Sequence, residues 1–158
     1  MDNTQKLPVL YFCGGYNCRH RWVAVIVGEI TLDKGAKPKA HELETAEKLS
    51  KHGINVHFVK ESDKEGVKMY DAITNNNVKT EFKSAKNVEN EYNHLCGILK
   101  NANAKGANNL VIDITKDNYN IDNLIKNAKH ICAFNLYTGI KKVIYLVKDK
   151  IYFIKIWD

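Results

Sequence analysis

The chain has 158 residues, 44% of them hydrophobic and 27% charged, a composition that fits one soluble domain with its own core. No apolar run approaches the roughly 20 residues of a membrane-spanning helix, and the opening MDNTQKLPVL lacks the basic-then-apolar plan of a signal peptide. A cytoplasmic protein with no membrane partner is therefore expected, or one segment of a larger product delivered by a carrier. The net charge of +6 comes almost wholly from lysine, Arg19 and Arg21 being the only arginines. Such an excess suits a polyanion, because phosphate contacts release counterions; a well-solvated lysine surface accounts for it equally.

In chain order, residues 1 to about 20 read as an irregular or capping segment. Within it, Cys13 and Cys18 flank Gly14-Gly15 with His20 close behind, a spacing that favours a local turn over a metal knuckle. Cys96 and Cys132, in apolar helical surroundings, read as buried thiols. Trp22 to Ile30 is β-branched and apolar and predicts a strand or strap, broken by Gly35 and Pro38. His41 to Gly53 predicts an amphipathic helix with Leu43, Ala46, Leu49 and Ser50 on one stripe and Gly53 as its stop. Three strands follow: INVHFV, VKMYDAI and, after TNNN, VKTEFKS. Helical spacing recurs from Asn87 to about Ala104. NNLVIDI reads as a central strand, IDNLIKNAKHICAF as a helix, and KKVIYLV with KIYFIKI as a closing hairpin. The order α-β-β-β-α-β-α-β-β predicts an α/β domain, a mixed sheet flanked by helices. An N-terminal strap is expected over residues 1–38 and the main domain over 39–158.

Asp71, Glu81 and Lys83 carry the clearest chemical signal. Glu81 and Lys83 are two apart on a strand, so they project to one face while Phe82 goes to the other. Asp71 joins them only in one register. If Thr74 faces Val78, leaving Asn75-Asn76-Asn77 as the loop, Asp71 lies opposite Glu81; a one-residue slip puts it on the wrong face. Asparagine tolerates the left-handed backbone that such a loop needs. Two carboxylates and a lysine supply oxygen ligands for Mg²⁺ and a cation for a phosphoryl centre. Asp71 shares strand parity with Val67, Met69 and Ile73, on the more apolar side. Glu42, in the first turn of the first helix, points toward the buried stripe and offers a further carboxylate, or serves the helix dipole alone. A solvated Glu81–Lys83 pair on an ordinary hairpin remains the competing reading of these residues.

The set HELETAEKLSKHGINVHFV, MYDAI, TEFKSAKN, NNLVIDI and KKVIYLVKDKIYFIKI resembles the C-terminal toxin nuclease domain of contact-dependent growth inhibition proteins, the tRNase type with a PD-(D/E)xK nuclease fold. The resemblance spans about residues 39 to 156. It implies a metal-dependent endonuclease that uses Mg²⁺, or Mn²⁺ or Zn²⁺, with Glu42, Asp71, Glu81 and Lys83 catalytic and Asp71, Glu81 and Glu42 on the metal. It implies a nucleic-acid substrate, with tRNA or other RNA ahead of DNA, and a cognate immunity protein as partner. Tyr70 stands where that family often has proline. The shorter segment CGGYNCRHRWVAV resembles the end of phage minor head proteins, which suggests a toxin domain joined to a phage-derived carrier. Two alternatives stand beside the nuclease: a non-enzymatic phage head-associated module, and a metal-independent barnase-like ribonuclease. For the latter, His41, His57, His94 and Thr115 are dispersed along the chain.

Overall fold

Among the described residues, the apolar runs become seven short strands that join one sheet in the order in which they occur, β1 to β7. The computed structural model describes residues 25–62, 64, 66–85, 91–114, 120–134 and 137–155. The strands are β1 (Ile30–Leu32), β2 (Val56–Phe58), β3 (Ala72–Thr74), β4 (Val78–Ser84), β5 (Asn109–Asp113), β6 (Lys142–Val147) and β7 (Lys150–Lys155). Between them lie the helices α1 (Ala40–Lys51), α2 (Glu91–Ala104) and α3 (Ile121–Ala133). β1 is parallel to β2, and β4, β5 and β6 are mutually parallel, whereas β3 and β7 run antiparallel to their neighbours. The fold is the expected α/β domain with a mixed sheet, and the strand expected ahead of α1 forms an edge of it. Among the described residues no helix is long and apolar enough to cross a membrane. The Cys13–Cys18–His20 segment and most of CGGYNCRHRWVAV lie outside the described residues.

Each face of the sheet carries its own core. On one, Ala46 and Leu49 of α1 pack with Val56, Phe58, Ala72, Phe82, Val111, Ile144 and Leu146. On the other, Leu95, Leu99 and Ala102 of α2 and Leu124, Ala128 and Ile131 of α3 cover Leu110, Ile112, Val143 and Tyr145. α1 and α2 end in the same way. Gly53 (φ 77°) and Gly106 (φ 72°) take the left-handed backbone that lets the chain leave the helix. In α2, Ala107 N–H donates to Ala102 O at 3.1 Å and Gly106 N–H to Asn103 O at 3.0 Å, the paired bonds of a Schellman end. Lys105 is thereby fixed as the last residue before the turn.

Two expectations change. Of the strand expected from Trp22 to Ile30, the described part, from Val25 on, enters the β1 ladder at Ile30, and β1 continues through Thr31 and Leu32, from the stretch assigned to the break. Ahead of it, Gly28 is tied to α1: its N–H donates to Ser50 O at 2.7 Å, and Ser50 Oγ donates to Gly28 O at 2.6 Å. A Cβ on Gly28 would lie 2.1 Å from Ile54 O, so the backbone there is pressed against the start of the next strand. The strand expected over Val67 to Ile73 pairs only from Ala72. β2 ends at Phe58, and the chain from Val67 to Asp71 approaches it through one bond, Val59 N–H to Asp71 O at 3.3 Å. The direction of Asp71 is thus not set by strand parity with Val67 and Met69.

Phe82 sits at the centre of the α1 face, 1% exposed and edge-on to Phe58 with ring centroids 5.8 Å apart. Phe82→Ala is expected to cost about 3–5 kcal/mol of stability, measured as a lowered urea midpoint with an unchanged slope.

Candidate active site

The loop between β3 and β4 determines how the acidic residues meet. Asn75–Asn77 form a 3₁₀ turn, with Asn76 at φ 62° and Asn77 at φ 59°, both left-handed. The pairs Thr74↔Val78, Ile73↔Lys79 and Ala72↔Thr80 follow, which is the register that brings Asp71 level with Glu81. The ladder stops there. Beyond it, Asp71 Oδ2 accepts the Phe82 N–H at 2.8 Å, so the carboxylate continues the strand pairing with its side chain. One oxygen of Asp71 is committed to the backbone, and Oδ1 is left to face the site.

Glu81 is wholly buried, at 0% exposure. Two lysines converge on its Oε1: Lys83 Nζ at 2.6 Å and Lys105 Nζ at 2.6 Å. Lys105 Nζ also lies 3.6 Å from Asp71 Oδ1 and spans the two carboxylates. Oε2 of Glu81 is buried with no hydrogen-bond partner. Burial pushes the Glu81 carboxyl above the ordinary 4.5, against the Lys105 and Lys83 bonds that hold it down; the Asp71 charge adds to the rise. Burial alone would lower Lys105, but the Glu81 bond and the charges of Asp71 and Glu81 outweigh it and raise it above 10.5. Lys105 was not among the residues singled out by sequence. The Lys-Gly pair at a helix end marks the turn, but only the docking of α2 on β4 and β5 shows where its side chain goes.

Glu42 lies elsewhere. It is buried at the start of α1, where its Oε2 accepts the Lys39 N–H at 2.8 Å, the return half of a capping box. Lys39 Nζ is 3.7 Å from its Oε1 and His41 Nε2 3.8 Å. Glu42 borders a cleft together with Lys37, Phe58, Glu61, Tyr70 and Asp71, to which Glu81 does not contribute. Asp71, Glu81 and Lys83 therefore come together, and Glu42 approaches Asp71 from α1 across that cleft. Among the described residues no three His, Cys, Asp or Glu side chains are grouped to hold one metal ion, so Glu42, Asp71 and Glu81 do not form a closed triad.

Two further polar groups stand on the sheet. At the end of β5, Asp113 is buried and paired with Lys48 of α1 at 2.6 Å, with Thr45 Oγ1 at 3.4 Å. On β1 and β2, His57 links Asp33 (Nε2 to Oδ1, 2.9 Å) with Thr31 (Nδ1 to Oγ1, 2.7 Å). Of the histidines considered for a metal-independent ribonuclease, His57 alone has an acid and a hydroxyl on its two ring nitrogens among the described contacts.

No protein-family profile matches the chain. No curated protein matches it either. Among solved structures, a chain of the CdiA-CT/CdiI toxin and immunity complex from Burkholderia pseudomallei is similar, with a TM-score of 0.57 and 20% identity. The match covers 79% of this chain and 98% of that one. The two chains share a fold, and the class defined here is the mixed-sheet α/β fold seen in that toxin and immunity complex.

The carboxylate midpoint of Glu81 is a direct readout of the cluster. In a ¹³C NMR titration it is expected above 4.5, and Lys105→Met is expected to move it further up, since the Lys105 bond is the largest influence holding it down. The linkage has a sign: with the folded value above the unfolded one, Glu81 contributes stability at acid pH that is lost as pH rises from 4.5 through the raised midpoint. Lys105 works in the alkaline range, with stability present below 10.5 and lost as pH rises through its folded value.

Proposed function

We propose that this chain is a toxin-type nuclease that hydrolyses phosphodiester bonds in a metal-dependent manner, with RNA, tRNA foremost, as substrate and DNA as a second choice. The observation that carries the reading is the meeting of Asp71, Glu81 and Lys83 at one point, with a buried carboxylate oxygen on Glu81 that no protein group satisfies. A buried unpaired oxygen is costly unless something positive completes it. The donor set fits a hard divalent cation: two carboxylates from adjacent strands suffice where water and substrate phosphate supply the rest. Asp71 and Glu81 would hold Mg²⁺ or Mn²⁺, and Glu42, which borders a cleft shared with Asp71, would add its negative charge from the α1 side. Such an ion, when bound, lowers the pKa of a coordinated water and polarises the phosphoryl oxygen.

The chain's own residues do the remaining work. Phe82 N–H fixes the rotation of Asp71, and burial fixes Glu81, so the ligands need no rearrangement. Lys83, about one-third exposed (31%) and paired with Glu81, would orient the attacking water and offset charge on the phosphorane. Lys79, two residues before Glu81 on the same face, and the lysine excess as a whole offer contacts to the nucleic-acid backbone. The fold shared with a chain of a toxin and immunity complex supports the toxin reading, and a cognate immunity protein is proposed as its partner. A phage-derived carrier, suggested by CGGYNCRHRWVAV, is proposed as the upstream element.

The test is incubation of the purified protein with total tRNA and with plasmid DNA, in Mg²⁺, in Mn²⁺ and in EDTA. Cleavage is expected with metal and not in EDTA. Lys83→Met is expected to lower the rate by about 10²–10³, and Glu81→Gln to abolish it. Glu42→Gln retains the helix cap, so a fall in rate without a fall in melting temperature would mark the carboxylate charge as functional. Cleavage that survives EDTA and disappears in His57→Gln would overturn the metal reading in favour of a ribonuclease centred on Asp33, His57 and Thr31. Full activity in Glu81→Gln would overturn the site itself.

A further inference from the structure

We propose that Lys105 is the resident counter-ion of the Asp71–Glu81 pair and that it must leave for a divalent cation to bind there, so that the lysine contact and the metal exclude each other. The inference rests on the metal-dependent reading above. Lys105 Nζ lies 2.6 Å from Glu81 Oε1 and 3.6 Å from Asp71 Oδ1, bridging carboxylates on two strands as a metal would. Competition is direct at Asp71. Its Oδ2 is held by Phe82 N–H, Oδ1 is the oxygen turned toward the cluster, and Lys105 is the cation beside it.

Positive charge is unevenly distributed over Glu81. Both lysines approach Oε1 at 2.6 Å, whereas the buried Oε2 receives no hydrogen bond. A lysine is a point charge on a flexible stem and cannot serve both carboxylates and both Glu81 oxygens at close range. A hard cation with several ligand positions can. Lys105 can move away without disturbing the fold, because the end of α2 is closed by backbone bonds from Gly106 and Ala107, and its side chain is already 22% exposed.

The exchange has an electrostatic consequence. With Lys105 in place, two carboxylates meet two ammonium groups and the cluster is neutral. With a dication in its place and Lys83 retained, the cluster is positive and the displaced ammonium lies nearby. Both favour an incoming phosphate, whereas the lysine-held form offers no excess charge. Lys105 thus keeps the buried acids neutralised until metal arrives.

The experiment uses nucleic-acid-free protein, with Mn²⁺ binding followed by loss of the free-ion EPR signal and melting temperatures recorded in EDTA and in Mg²⁺. Lys105→Met is expected to bind Mn²⁺ about tenfold tighter or more, the scale set by losing a charge-assisted competitor. Its melting temperature should also rise more on adding Mg²⁺ than that of the unmodified protein. Lys83→Met, which leaves Lys105 bridging, should tighten Mn²⁺ binding less. Lys105→Gln, which keeps a donor toward Glu81, provides the same comparison if Lys105→Met does not fold in EDTA. Binding to the unmodified protein that is lost in Glu81→Gln but equal or weaker in both Lys105 variants would overturn the counter-ion role and leave the metal reading intact. Absence of Mn²⁺ binding in the unmodified protein and in the Lys105 variants would overturn both.

Discussion

Burial of Glu81 is the constraint around which this half of the molecule is organised. A carboxylate with no solvent exposure, two residues from a lysine and one from a core phenylalanine, cannot stand in a sheet unless charge is brought to it. Two elements bring it. β4 supplies Lys83 by its own alternation, and α2 supplies Lys105 by stopping where its side chain falls over β4. Such buried ionic groups are weak sources of stability, because desolvation consumes most of the attraction. Beside the apolar Leu110 and Ile112 of β5, the presence of such a group is better accounted for by what the carboxylate can do than by what it contributes to folding.

The surrounding structure holds that carboxylate in place. Phe82, on the opposite side of β4, anchors the strand in the α1 core, so Glu81 is directed toward the α2 face. Asp71 arrives by a different route: it is outside the ladder, and its orientation comes from a hydrogen bond to the Phe82 amide. One residue therefore sets the position of Glu81 through packing and that of Asp71 through its backbone. Glu42 has its own commitment to the start of α1, which explains how it can be buried and ionic without joining the cluster. A chain of the Burkholderia pseudomallei toxin and immunity complex shares this fold, whereas the convergence of Asp71, Glu81 and two lysines is a feature of the local geometry of this chain.

Much of this was legible in the sequence, for identifiable reasons. β4 was read over its full extent because its alternation is clean, and the helices because their apolar spacing is regular. The Asn75–Asn77 turn was legible because few residues accept consecutive left-handed conformations, and from it the Thr74↔Val78 register followed. What failed was local pattern without a neighbour. Val67 to Asp71 alternates as a strand does, yet β2 ends before it can pair along its length. Val25 to Ile30 is rich in β-branched residues (Val25, Ile26, Val27, Ile30), yet Gly28 is drawn to Ser50 ahead of the ladder. Lys105 was invisible for a third reason: among so many lysines, only tertiary packing distinguishes one that reaches a buried acid from the end of α2.

The order of the sheet has a consequence of its own. Because the strands neighbour one another in the order in which they are synthesised, every pairing is closed by a single hairpin or a single strand–helix–strand unit. No strand must wait for a distant partner, so the entropic cost of each closure is small and assembly can advance stepwise along the chain. Its two carboxylates reach their lysines only near the middle of that progression, when β5 follows α2 onto the sheet.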